Sequence, residues 1–428
     1  MPDPHILTLW TIAGAIVVGL PLYAWSIRGR AYATFALVVL LVSLPGAVLM
    51  HARLLDWARP PAAMWLHAAF VWCMTAAGIH LVALVKPRLR RGPFRWAVSI
   101  PGMAFIAAGA LSGVWLLALA PVRLVFLTLE AHAVLAWLRW LDLVPFVVAG
   151  LSIVTSLRPG REVVRVALGR SGPAEVTRLP VERYRRRRRP LPLARRPLRI
   201  VQIADPHLGP WQPVARLRRR IAELVEHEPD LVLLTGDFLT MEGVGTPGAL
   251  ARALEPLRRL PGRCFATFGN HDHESPDEVR SALAATGIRL LLDDETTVDT
   301  PAGPVQVVGA DYCFTGRRDH VRALLERFPR REGHLRLLLL HDPLVFRHVP
   351  KGEADLTLSG HTHGGQLGLV SFGIDWTVLR RTRWPDHGLF GHGSNRLYVH
   401  RGTGHYGFPL RIGVPGEHSL LELVVAAD

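Results

Sequence analysis

The chain has 428 residues, 49% of them hydrophobic and only 20% charged, with a mean hydropathy of +0.22. That balance is too apolar for a disordered chain or for a water-soluble enzyme of uniform composition, so membrane segments are the first expectation. The net charge is +15, Lys86 and Lys351 are the only lysines, and Cys73, Cys264 and Cys313 stand too far apart for a disulfide framework or a zinc ribbon, so reduced and mostly buried thiols are expected.

Residues 6–27, 31–50, 60–85 and 96–122 contain no Asp, Glu, Lys or Arg. Each is long enough to cross a bilayer, which takes about 20 apolar residues. A fifth run is interrupted: 124–138 carries Glu130, and 143–157 is short unless it begins before Asp142. Five spans are therefore expected. No Lys or Arg precedes Arg28, so the positive flank of a cleaved signal peptide is missing. Basic residues gather after span one (Arg28, Arg30), after span three (Lys86, Arg88, Arg90, Arg91, Arg95) and after span five. The positive-inside rule then gives an outside N-terminus and a cytoplasmic C-terminal half in a bacterial inner membrane, by a parity that depends on the fifth span.

Between 158 and 199 there are 14 arginines against Glu162, Glu175 and Glu182. This stretch, centred on 185–189, reads as an exposed juxtamembrane linker. A tail for nucleic acid is the weaker alternative, and no nucleic-acid partner is expected. Attraction to anionic membrane lipids suits a segment beside a bilayer, although the positive-inside rule alone accounts for the charge.

After residue 198 short apolar runs alternate with amphipathic stretches, the pattern of a layered α/β domain. Strands are expected at 199–204, 230–235, 264–268, 305–309, 335–340, 355–358, 396–400 and 420–425. Helices are expected at 214–227, 247–259, 276–286 and 318–328. The organisation is thus an N-terminal α-helical transmembrane bundle at 1–157, a linker at 158–198 and an α/β domain at 199–428.

Chemistry-bearing residues stand at the ends of five expected strands: Asp205 and His207; Asp237; Asn270, His271 and Asp272; His341; and His361 and His363. Open α/β sheets collect ligands at the carboxyl edges of their strands. In an extended segment residues two apart point the same way, so Asp205 with His207, and His361 with His363, are each expected to serve a common site. A single Gly-Asp or Asp-x-His is usually an ordinary turn, and it is the ordered set of five that carries the signal.

This order of Asp-x-His, Gly-Asp, Gly-Asn-His-Asp, a later His and Gly-His-Thr-His resembles the calcineurin-like metallophosphoesterase superfamily over about 199–425. The wording SGHTHGGQ at 359–366, LYVHRGTG at 397–404 and PLRIG at 409–413 is similar to its membrane-associated, YkuE-type branch. Pro206 departs from the bulky apolar residue usual in the first motif, and altered loop stiffness is expected from it. The resemblance implies a four-layer α/β/β/α sandwich and two divalent cations (Mn, Fe, Zn or Co). One would be held by Asp205, His207, Asp237 and His363, the other by Asp237, Asn270, His341 and His361. Two such cations make hydroxide available near neutral pH. His271 would protonate the leaving group, with Asp272 orienting it, while Cys264 and Cys313 would be core residues. Arg401 and His405 are candidate substrate contacts, with a solvent-facing Arg401 as the alternative to its binding a second phosphate.

The function expected is membrane-anchored hydrolysis of a phosphate ester or pyrophosphate, with a phosphorylated or lipid-linked small molecule as substrate. The alternatives are a non-enzymatic membrane sensor or scaffold, against which the complete ligand set counts, and a phosphodiesterase acting on a soluble nucleotide.

Overall fold

In a computed structural model the chain is described over residues 4–90, 92–169, 171–184, 196–405 and 410–425, and it divides into two compact units near residue 154. The centre of the arginine-rich stretch (185–195), Arg91, and Pro409 of the last quoted motif lie outside the described residues.

The N-terminal unit contains five helices long and apolar enough to cross a membrane: α1 (Pro4–Arg28), α2 (Arg30–Leu55), α3 (Ala62–Ala83), α4 (Gly92–Thr128) and α5 (His132–Leu157). The fourth extends further than expected and absorbs 124–128. Glu130 falls at φ 52° in the turn before α5, exposed, and is not a buried acid. A π-helical turn at Arg95–Ser99 sits just before Pro101, whose missing N–H breaks the regular ladder. Asp142, the charge that made the fifth span doubtful, is buried and ion-paired with Arg53 at 2.8 Å and with Arg123. Pairing removes most of the cost of a lone intramembrane charge. Helices α2 and α4 touch through glycines. A Cβ on Gly46 would lie 2.3 Å from the carbonyl oxygen of Gly109, so only a bare backbone permits that approach.

The C-terminal unit is built on strands β1 (Gly160–Leu168), β2 (Thr177–Arg178), β3 (Glu182–Tyr184), β4 (Leu198–Ile203), β5 (Leu231–Thr235), β6 (Cys264–Thr267), β7 (Arg289–Leu290), β8 (Asp294–Thr300), β9 (Gly303–Gly309), β10 (Leu335–Leu339), β11 (Leu356–Ser359), β12 (Gly388–His392), β13 (Asn395–Val399) and β14 (Glu417–Val425). They form two seven-stranded mixed sheets, β3-β1-β14-β4-β5-β6-β7 and β2-β12-β13-β11-β10-β9-β8. Val164, Ile200, Leu231 and Phe265 of the first pack against Val305, Leu337, Leu356 and Tyr398 of the second in one buried cluster. Helices α6 (Val214–Val225), α7 (Ala249–Leu254) and α8 (Pro276–Ala285) follow β4, β5 and β6. Helix α9 (Arg317–Arg327) buries Val321, Leu324 and Leu325 against the outer side of the second sheet. This is the α/β/β/α layering expected from the family resemblance.

Strand β1 corrects the picture of a linker running unbroken from 158 to 198. It pairs in parallel with β14 from Gly160–Glu417 to Leu168–Val425 and buries Val163, Val164 and Val166. Its charges are matched by acids or bases from distant sequence: Glu162 pairs with Arg183 and Arg401, and Arg165 with Glu182 and Glu422. The charges carried by β1 are therefore paired one by one, Arg161 with Glu223 included, which lets the strand join the sheet. Of the thiols only Cys264 is buried; Cys73 and Cys313 are intermediate, so Cys313 is not the core residue expected.

Candidate metal centre

The carboxyl ends of β4, β5, β6, β10 and β11 bring the sequence candidates together. Ligand atoms of Asp205, His207 and His363 lie within 4.8 Å of one another, and those of Asp237, His341 and His361 form a second such group. Asp237 joins the two: its Oδ2 is 3.3 Å from Nε2 of His341 and 3.8 Å from Nε2 of His207. Its Oδ1 accepts the backbone N–H of His271 at 2.9 Å, which fixes the carboxylate. Nε2 of His207 and Nε2 of His363 are 3.1 Å apart, with the rings stacked.

The local backbone differs from the extended segments expected. Asp205, His207, Asp237, His361 and His363 all have positive φ, between 41° and 68°. Such residues cost about 1–3 kcal/mol each and persist only where neighbours enforce them, characteristically at functional sites. Here the enforcement is visible, since Asp205 N–H donates to Gly236 O, His207 N–H to Asp237 O and Gly404 N–H to Asp205 O. The left-handed turns, not a pleat, aim the side chains. Consequently His361 and His363 do not share a site; they fall in different groups.

The glycines of the motifs are spatial requirements. A Cβ on Gly269 would stand 2.2 Å from Oδ1 of Asp237, and one on Gly360 2.2 Å from Oδ2 of Asp205.

Burial dominates the titration of the cluster. It holds His207 down to about 3, holds His361 down to about 3 with help from the His341 charge, and pushes Asp205 up to about 7. His341 goes the other way: burial opposes its charge, but the Asp237 carboxylate and then Asp205 push it up to about 10. Burial would also raise Asp237, yet His341 and His207 hold it well below the usual carboxylate range. The buried Oδ1 of Asn270 has no hydrogen-bond partner among the described residues. An orphaned amide oxygen, two buried carboxylates and four imidazoles fit hard or borderline divalent cations. Nδ1 of His341 lies 2.6 Å from the carbonyl oxygen of Thr235, the support usual behind a metal-binding imidazole.

Several sequence assignments change. Asp272 does not orient His271: its carboxylate accepts the backbone N–H groups of Asp237, Phe238 and Gly269 at 2.7–2.8 Å, tying two motif loops together. Nδ1 of His271 instead meets Oε1 of Glu274 at 2.7 Å. Burial disfavours the imidazolium, but that hydrogen bond and the charge of Asp237 outweigh it and raise His271 above its ordinary value. Arg401 is buried, committed to Glu162 and Glu417, and neither faces solvent nor offers a free fork to substrate. His405 is also buried, its ring 6.1 Å from that of Trp211, and burial keeps it well below its ordinary value.

Other residues at the site gave no sequence signal. Tyr312 lies about 6 Å from the rings of His341 and His361, and Trp384 stacks on His361 with centroids 5.2 Å apart. Arg411, fully buried, places Nη2 3.1 Å from Nδ1 of His363. It lies within the quoted 409–413 motif, but nothing in the spacing of that motif tied it to a metal site.

Comparison with known proteins bears on this geometry. The model of the calcineurin-like phosphoesterase family matches residues 198–365, which contain all seven candidate ligands. The chain is 33% identical over 233 residues to phosphodiesterase YaeI of Escherichia coli, covering 53% of this chain and 83% of that protein. It is 29% identical over 218 residues to the metallophosphoesterase YkuE of Bacillus subtilis, covering 50% and 74%. It is also 27% identical over 263 residues to the UDP-2,3-diacylglucosamine pyrophosphatase LpxG of Chlamydia trachomatis, covering 48% and 78%.

Proposed function

The chain belongs to the calcineurin-like phosphoesterase family and is a phosphoester hydrolase by that membership, and from this premise we propose that it is membrane-anchored, uses two divalent cations, and cleaves a lipid-linked phosphodiester or pyrophosphate at the cytoplasmic leaflet of a bacterial inner membrane. The observation that carries the two-cation reading is Asp237 Oδ2, which faces both ligand groups. A carboxylate so placed can bridge two cations. When bound, such cations lower the pKa of a water and neutralise phosphoryl oxygens during in-line attack.

The chain's own residues do the rest. Asp205, His207, Asp237 and His363 would hold one ion, and Asp237, Asn270, His341 and His361 the other. His271, about a quarter exposed and with its imidazolium favoured by Glu274, would give its proton to the leaving oxygen. A soluble substrate would need no anchor, whereas five apolar helices on the same chain favour a substrate resident in the membrane. Arginines after spans one, three and five favour the cytoplasmic side.

The test is hydrolysis by the purified full chain of UDP-diacylglucosamine compared with UDP-glucose, each with added Mn²⁺. A preference for the acylated substrate of about 100-fold or more in kcat/KM is expected. Equal rates would remove the lipid-linked substrate, and no hydrolysis of either would remove this pyrophosphate class.

A further inference from the structure

A cleft of about 920 Å³ opens in the C-terminal unit, and none of the seven candidate ligands lines it. Its lining includes Arg158, Arg161, Arg178 and Arg183 together with the apolar Val370 and Ile374. Arg178 is spent on Asp386, Asp375 and the carbonyl of His387. The others are less committed: Arg183 uses one nitrogen on Glu162, Arg161 uses one on the half-buried Glu223, and no ion pair or hydrogen bond involves the exposed Arg158 among the described residues. Guanidinium N–H groups therefore remain for an anion, and their planar fork suits phosphate oxygens.

The apolar part belongs to a tongue, residues 367–378, folded back on itself by Leu369 N–H to Trp376 O (2.8 Å) and Val378 N–H to Leu367 O (3.0 Å). It exposes Leu369, Phe372, Ile374, Trp376 and Val378, with Phe372 75% and Ile374 53% accessible. Arg380, Arg381 and Arg383 follow directly. Apolar and aromatic tips bordered by arginine are the composition of surfaces that sit in a bilayer interface. Chain continuity agrees. Arg158, which lines the cleft, comes immediately after Leu157, the last residue of α5, and consecutive Cα atoms are about 3.8 Å apart, so the first of the cleft's arginines stands one residue beyond that apolar helix.

We propose that the cleft is a second, non-catalytic site for an anionic phospholipid, with the phosphate headgroup on Arg158, Arg161 and Arg183 and the acyl chains beside the Phe372 and Ile374 tongue. Its occupancy would hold the C-terminal unit at the leaflet. The proposal rests on α5 being a membrane span and not on the catalytic reading, because a protein that hydrolysed nothing would still give a clear answer in the binding test.

The full chain in neutral detergent micelles is titrated calorimetrically with dioctanoyl phosphatidylglycerol, dioctanoyl phosphatidylcholine and glycerol 3-phosphate. Thermal melting in the same micelles serves as the check of folding, with hydrolysis of bis(p-nitrophenyl) phosphate as a second readout, since none of the altered residues belongs to the metal centre. Phosphatidylglycerol should bind at least about tenfold more tightly than the other two. Arg158→Ala with Arg161→Ala should weaken it about tenfold at unchanged hydrolysis. Phe372→Asp, at the exposed tip, should reduce its affinity to that of glycerol 3-phosphate. Equal binding of phosphatidylglycerol by the wild type and both variants would overturn the site. Glycerol 3-phosphate binding as tightly as the lipid would assign a free phosphate anion and overturn the lipid.

Discussion

Oδ2 of Asp205 occupies the space that a methyl group on Gly360 would fill, at a separation of only 2.2 Å. Gly360 does not have a positive φ, so its backbone conformation tolerates alanine, which is excluded by the Asp205 carboxylate and by Cβ of Ala204 at 2.9 Å. Gly360→Ala is therefore expected to displace Asp205, reduce metal content and lower kcat/KM by about 10- to 100-fold, the range seen when support for a metal ligand is removed. Elemental analysis and a diester assay on the same preparation check this.

Glu274→Gln should act through His271. It removes the carboxylate charge that favours the imidazolium and leaves only a neutral amide oxygen to accept from Nδ1, where the carboxylate now stands at 2.7 Å. Turnover of alkyl phosphodiesters, whose leaving groups need a proton, is expected to fall about 10- to 100-fold. Nitrophenyl esters should change by less than about threefold. Equal slowing of both classes would separate Glu274 from proton donation.

Asp272→Asn should look different. An amide cannot accept all three backbone N–H groups that the carboxylate accepts, and each buried donor left unpaired costs about 1–3 kcal/mol. Lower thermal stability is expected, with activity toward activated and unactivated esters reduced in the same proportion. Loss confined to unactivated esters would restore Asp272 as the partner of His271.

Acid stability has a defined window at Asp386. Burial opposes its charge, but His387 and Arg178 outweigh burial and lower it to about 2, with Thr377 Oγ donating at 2.6 Å. The unfolded value is about 3.9. The folded value being the lower one, the contribution is complete above about pH 4 and is lost as pH falls towards 2. Its size is about 2–3 kcal/mol at 1.36 kcal/mol per pKa unit. Asp386→Asn should melt below the wild type at pH 6, and the two melting curves should converge near pH 2 to 3.

The strand-end motifs were legible because their chemistry is local: each places a carboxylate, amide or imidazole just past the end of a strand, and three of the five, at Gly236, Gly269 and Gly360, add a glycine directly before it. What escaped depends on partners far away in sequence. Strand β1 looked too charged to pack until Glu162 met Arg401 and Arg165 met Glu422. The same distant pairing took Arg401 out of the set of substrate contacts. The division of His361 from His363 follows from left-handed φ values that a period-two argument does not contain. Glu274 carried no signal, since an acid three residues after a histidine is common on any surface. In the membrane half, the fifth span was readable only as an interrupted run, because the ion pairs that neutralise Asp142 come from α2 and α4.

The central claim is that Asp237 serves two cations at once, and metal counting on Asp237→Asn tests it most directly. The wild-type full chain, purified and reconstituted with Mn²⁺, should bind two ions per chain. The variant should lose occupancy at both positions and about three or more orders of magnitude in diester hydrolysis, since one carboxylate faces both ligand groups. A variant that keeps two ions and wild-type turnover would contradict the account.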